Sequence, residues 1–324
     1  MSFDVYLPFV AALAFGTVGV WYAQRLRPAQ ATWLLSIGTV VTSACSLCSL
    51  LLLTWALLAR TNLVASFGDW SAAVFRRHDP VSVAVSIAAF VLLVIGCLRA
   101  ARTLVRHVRD LARAHRTCRQ LPASIGELVV VADGPVAACA VPGRPGRIVI
   151  SRQTLSMLSA AQRSAVLAHE RSHLRHRHHL HQVAVTLAAA ANPLLRATPR
   201  AIAYAVERWA DDDAALQAKT PDSVITALCQ LSGQLSGQLS GQQAGQLLDE
   251  TRTPAPLSVA GRRIAALRQP IRRNGWAVMA LATLALSGVV LSSAEAASDA
   301  EQLWHRADTT TSAATHHHAA RPAR

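Results

Sequence analysis

Four long runs of uncharged, apolar residues constrain this chain more than any other feature. They are Val5 to Ala23, Ala29 to Ala59, Val81 to Leu98 and Trp276 to Ala294. A helix crosses a bilayer with about 20 mostly apolar residues, somewhat fewer at the margin. The second run exceeds one perpendicular crossing, so it predicts a tilted span. Asp4 precedes the first run, and Arg25 and Arg27 follow it. A cleaved signal peptide has the reverse order of charge, so the run reads as a span. Composition agrees: 52% of residues are hydrophobic and only 15% charged, where soluble domains carry about a quarter. A disordered tail protein, a collagen-like chain and a small disulfide scaffold are excluded. The six cysteines form no secreted framework, since Cys45, Cys48 and Cys97 lie in apolar runs and Cys118, Cys139 and Cys229 are scattered. The expected fold is α+β: a four-span helical membrane protein with a folded segment between the third and fourth spans.

Charge orients this arrangement. The net charge is +14, nearly all of it arginine between residues 99 and 273, and Lys219 is the only lysine. The Arg25/Arg27 loop and the segment after Leu98 fall on one side of four spans, and the positive-inside rule makes that side cytoplasmic. Arg99, Arg102, Arg106, Arg109, Arg113, Arg116 and Arg119 follow in steps of three and four, on one stripe of a helix continuing the third span. Anionic headgroups of the bilayer are one expected partner of this stripe. A solvated face that only enforces topology is the other reading. Nucleic acid is not expected, because no recognition helix or aromatic interleaving accompanies the charge. The expected divisions are a three-span region over 1–98, a basic juxtamembrane helix over 99–120, a cytoplasmic domain over 121–273, a fourth span over 274–294 and a disordered tail over 295–324.

The pattern changes after Leu121-Pro122. Glu127 to Ala132, Val136 to Val141 and Arg147 to Ser151 predict short strands separated by Gly/Pro turns, arranged as a small antiparallel sheet. The last of these is expected to offer an edge to an extended peptide. Ser159 and Gln162 form a capping-box pattern opening a helix to about Leu180. Val183 to Leu195 predicts a buried or membrane-grazing helix ending at Asn192-Pro193. A further helix over Ala201 to Ala218 carries Glu207 and Asp211-Asp212-Asp213. Leu-Ser-Gly-Gln occurs three times from Leu231 to Gln242, and its Gly, Ser and Gln content predicts a flexible surface loop.

His169-Glu170-Arg171-Ser172-His173 is the motif with the most specific chemistry. Residues four apart share a helix face, so both imidazoles converge on one metal ion, while Glu170 reaches the attacking water as general base. That is the arrangement of zinc-activated hydrolysis. A catalytic zinc also needs a third protein ligand. Glu207 is the leading candidate and Glu250 the runner-up. Asp211 lies one turn beyond Glu207, placed to accept from the outer nitrogen of a ligating histidine, whereas Asp212 and Asp213 read as surface acids. His176, His178, His179 and His181 crowd the end of the same helix, either as a basic helix end or as a second metal site. Tyr204 is placed either for packing or for an oxyanion contact.

HERSH on a helix, Asn-Pro about twenty residues later and then Glu207-Arg208-Trp209-Ala210-Asp211 together resemble the BlaR/MecR-type membrane zinc metallopeptidases. They are similar, less closely, to the HtpX-like membrane proteases. The resemblance covers about Leu121 to Gln269 and the four spans. It implies Zn2+ held by His169, His173 and Glu207, Glu170 as base, a gluzincin-like domain facing the cytoplasm, and a protein or peptide substrate. Cleavage of a cytoplasmic repressor is the implied role. Quality-control proteolysis and a non-catalytic signalling scaffold are the alternatives. The chain departs from the antibiotic-sensing members after the fourth span: Lys219 has Leu216 three positions before it, so no Ser-x-x-Lys sensor motif is present.

Overall fold

A computed structural model describes residues 3–61, 81–120, 126–132, 138–143, 145–218, 221–239, 257–268 and 275–319. It is mostly helical. We label its elements α1 (Asp4–Ala23), α2 (Pro28–Ala59), α3 (Val83–Gln120), β1 (Leu128–Val131), β2 (Ala138–Val141), β3 (Arg147–Ser151), α4 (Arg152–Met157), α5 (Ala160–Arg175), α6 (His178–Ala191), α7 (Thr198–Ala218), α8 (Asp222–Leu239), α9 (Leu257–Leu267) and α10 (Trp276–Ala319). Four of these, α1, α2, α3 and α10, contain stretches long and apolar enough to cross a membrane. Their outward faces carry large apolar side chains such as Val10, Ile37, Phe90, Leu92 and Leu284, the surface a lipid solvent requires.

Small residues let the remaining helices close on this bundle. α6 packs against α2 and α3, and α7 packs against α2. A Cβ placed on Gly96 would stand 2.6 Å from the carbonyl oxygen of Ala191, and one on Gly16 would meet that of Leu194. Ser43 Oγ donates to the Ala188 carbonyl at 3.0 Å. Close backbone approach through small residues is how apolar helices associate without a hydrophobic driving force. Gly96→Val should therefore destabilise the protein by about 1–3 kcal/mol, the usual cost of overpacking. Denaturant unfolding in detergent would measure this, and an unchanged midpoint would show that α3 and α6 do not meet there. The first turn of α2 meets the start of α10: Gly275, just before α10, donates its N–H to Gln30 Oε1 at 3.2 Å.

The sheet differs from the expected antiparallel arrangement. Its order is β1-β3-β2, with β1 parallel and β2 antiparallel to β3. β3 takes the centre because both its faces are apolar. Val149 packs with Val129 and Val141 beneath Ala114 of α3, while Ile150 packs with Leu158 and Val166. A strand covered on both sides reads as a continuous hydrophobic run. β3 is therefore paired along both edges and offers none to a peptide; among the described residues, the edge with no strand partner beside α5 belongs to β2. Residues 133–137, which hold the expected Asp133-Gly134-Pro135 turn, lie outside the described residues.

Three helices also depart from expectation. α5 ends at Arg175, and Arg177 adopts a left-handed conformation (φ 51°, ψ 43°) that turns the chain into α6. The Leu-Ser-Gly-Gln segment is helical through Leu239. Its four-residue period puts Leu231, Leu235 and Leu239 on one helical stripe, a signal that outweighs the two intervening glycines. Residues 295–319, expected to be disordered, continue α10; their alanines are strong helix formers. α3 is likewise unbroken from span to basic stripe. At 1.5 Å per residue, its 38 residues extend about 57 Å, well beyond a hydrocarbon core of about 30 Å. Only the first arginines of the stripe can then lie at headgroup level.

Candidate metal centre

A reciprocal cap fixes the start of α5. Ser159 N donates to Gln162 Oε1 at 2.8 Å, and Gln162 N donates to Ser159 Oγ at 3.3 Å. Ten residues on, the helix turns His169 and His173 toward α7, where Glu207 meets them. His169 Nε2 and His173 Nε2 are 3.1 Å apart, and each lies 3.5 Å from an oxygen of Glu207. Tetrahedral zinc with bonds of about 2.0–2.1 Å separates its ligand atoms by about 3.3 Å. The three donors thus already outline one face of such a site. Nitrogen and carboxylate donors, three in number, also suit a catalytic rather than a closed structural zinc.

The outer nitrogens are held as well. His169 Nδ1 donates to Asp211 Oδ1 at 3.0 Å, and the Asp211 side chain is 1% exposed. His173 Nδ1 lies 3.0 Å from Nδ1 of His178, which is buried at the start of α6. Donation by His173 leaves its Nε2 lone pair facing His169 and Glu207. The proton on His178 then resides on Nε2, which has no partner among the described residues. Such outer bonds fix the tautomer and orientation of a ligating imidazole.

Arg263 completes the cluster. Its Nε and Nη2 donate to Asp211 at 2.8 and 2.6 Å, and its Nη1 lies 3.0 Å from Glu207 Oε2. One guanidinium on α9 therefore ties both α7 carboxylates together, a forked geometry that lysine cannot supply. The sequence reading missed it. Arg263 lies 52 residues beyond Asp211 in an amphipathic basic helix, where no local spacing marks it.

Electrostatics follow the geometry. Burial opposes charge on Glu207 and Asp211, but hydrogen bonds from His169, and for Asp211 first from Arg263, hold both down to about 2. Burial alone would lower His169, yet its bonds to Asp211 and Glu207 raise it to about 9. Burial, then the neighbouring His169, lowers His173 to about 4. The two carboxylates draw positive charge to one spot, the same preference that a divalent cation satisfies. Glu170 stands apart from this pair. Burial pushes its carboxyl up, although the backbone of Ala140 on β2 donates to it.

That contact identifies the face of β2 beside the site. Ile148 donates its N–H to Glu127, across to β1. Ala140 pairs opposite Ile148, and antiparallel partners alternate between bonded and unbonded pairs. The backbone groups of Ala140 accordingly point to the free edge and Glu170.

The other candidates separate cleanly. Asp212 lies 3.9 Å from Arg208 at the surface. Asp213 is not a bare surface acid: it accepts from Ser172 Oγ at 2.7 Å and lies 3.0 Å from His176 Nε2. His176 also stacks on Trp209, and His181 bonds Ser36, so these histidines are not gathered into a second metal group among the described residues. Tyr204 points away and donates to the Arg262 carbonyl at 3.4 Å. Glu250 lies outside the described residues. Asp211→Asn should weaken zinc binding 10- to 100-fold, the usual effect of losing such an outer partner. Asp212→Asn should change little. Asp213→Ala should cost about 1 kcal/mol of stability without changing zinc affinity. Competition against a chelator would separate the three, and a uniform effect would reduce the acidic run to bulk charge.

Residues 98–238 match the family model of peptidase family M48. The match supports an M48-type metallopeptidase, and with it a protease, over the segment that carries His169, Glu170, His173, Glu207 and Asp211. It does not separate the BlaR/MecR type from the HtpX type. Arg263 lies beyond it. No curated protein and no solved structure matches the chain.

Proposed function

We propose that this protein is a membrane-bound zinc metalloendopeptidase whose site faces the cytoplasm. The observation that carries this reading is the convergence of His169, His173 and Glu207 at 3.1 to 3.5 Å with Glu170 beside them. His169, His173 and Glu207 would hold the zinc, with Asp211 and His178 orienting the two imidazoles. Bound there, zinc supplies Lewis acidity toward a peptide carbonyl and acidifies water. Glu170 takes the proton from the attacking water and passes it to the leaving amine. Its raised pKa suits that task, because a general base works best near the operating pH. An extended peptide would add along the outer edge of β2, donating to the Ala140 carbonyl, while the Ala140 N–H stays with Glu170. This recognition is largely independent of side-chain sequence, as an endopeptidase requires.

The resemblance of HERSH and Glu207-Arg208-Trp209-Ala210-Asp211 to the BlaR/MecR type supports a cytoplasmic repressor-type protein as substrate. A second reading, removal of membrane proteins, has its own support: α6 and α7 rest directly on α2, which brings the site close to the bilayer. Comparing the proteomes of cells carrying the wild type and Glu170→Gln tests both. One accumulating repressor supports regulation, and many accumulating membrane proteins support quality control. Absence of stoichiometric zinc in the purified protein would remove the enzyme reading altogether.

A further inference from the structure

A crevice between α2 and α6, open beside the turn from α5 to α6, has walls and charge that peptide hydrolysis does not use. It encloses about 840 Å3. Trp33, Ile37 and Val40 of α2 form one wall and are 49%, 49% and 41% exposed. Ala184 of α6 faces them across the slot. Arg175 and Arg177, both exposed, also line the crevice, and among the described residues no acidic one does. The left-handed backbone of Arg177 belongs to the turn that brings these two guanidinium groups to the rim.

Apolar walls continuous with a helix able to cross a bilayer, with two exposed arginines in the lining, favour one ligand chemistry. We propose that the crevice binds one anionic phospholipid, its phosphate at Arg175 and Arg177 and an acyl chain between α2 and α6. Clustered basic side chains beside a spanning helix attract anionic headgroups, and arginine forks pair with phosphate oxygens. A free phosphate would leave the apolar walls unused. An extended peptide would bring backbone polar groups between walls that offer them few partners. Ser36, the hydroxyl on that side, is already bonded to His181 at 2.9 Å. An acyl chain carries no such groups.

The test is native mass spectrometry of the full-length protein in detergent, titrated with phosphatidylglycerol and phosphatidylcholine. The wild type should retain one phosphatidylglycerol per chain in preference to phosphatidylcholine by roughly 10-fold or more, given about one factor of that size from two arginines. Arg175→Gln with Arg177→Asn should remove the preference, while Arg106→Gln with Arg109→Gln on α3 should keep it. If the double variant does not fold, judged by its unfolding midpoint, Ala184→Trp makes the same test by filling the slot. Equal retention of both lipids, an unchanged preference in the double variant, or full retention in Ala184→Trp would each overturn the proposal. Displacement by glycerol phosphate would make it a phosphate site alone. Binding of an acid-flanked apolar peptide, with none of phosphatidylglycerol, would make it a peptide site; either result also overturns the proposal.

Discussion

Glu170→Gln should lower kcat on a peptide substrate by about 10²–10⁴-fold, the range of general acid–base assistance, and leave zinc stoichiometry at the wild-type level. The two halves of this result come from separate geometry. Glu170 faces Ala140 of β2, while His169, His173 and Glu207 face one another. Glutamine keeps the size of the side chain and can still pair with the backbone there, so the fold and the metal donors are undisturbed. What it cannot do is accept a proton. KM should move little, because the edge backbone that would seat the peptide is intact. Single-turnover cleavage with metal analysis on the same preparation would check both halves. Equal loss of zinc and activity would place Glu170 among the ligands, and unchanged activity would remove it from the chemistry.

The donor cluster was legible in the sequence because its geometry is local. Four-residue spacing on one capped helix brings His169 to His173, and the same spacing on the next acidic helix brings Asp211 beside Glu207. Neither inference needs the course of the chain between α5 and α7. Arg263 and His178 depend on that course. Arg263 reaches the cluster only because α9 packs on α7, and no periodicity encodes that contact. His178 bonds His173 only because the helix breaks at Arg177, a residue that carries no helix-stop signal. The sheet shows the same division. Short runs between Gly/Pro turns identified three strands but not their neighbours, and β3 took the centre through packing on both of its faces. At 295–319 a low-complexity composition points to disorder and the alanines to helix, and the chain follows the alanines.

Removing the Arg263 guanidinium should cost about 3–5 kcal/mol of stability, the range for breaking a buried ion pair from one side. Asp211 is the reason for so large a value. At 1% exposure it cannot turn to water, and without Arg263 its remaining side-chain partner among the described residues is His169. Glu207 loses the same cation, so two carboxylates then face each other across one imidazole. Arg263→Met preserves most of the packing volume and removes the charge, which makes it the informative substitution. Arg263→Lys should rescue little, because one ammonium cannot bond both oxygens of Asp211 and reach Glu207 as well. Zinc held by His169, His173 and Glu207 would supply positive charge in place of the guanidinium. Its stabilisation of the folded protein should therefore be larger in Arg263→Met than in the wild type. Denaturant unfolding in detergent, with and without zinc, measures both effects. If Arg263→Met unfolds like the wild type, the ion pair is too well solvated to matter. If instead it is destabilised but gains no more from zinc than the wild type does, Arg263 is a packing residue, and the negative charge at Glu207 and Asp211 is not what draws the metal.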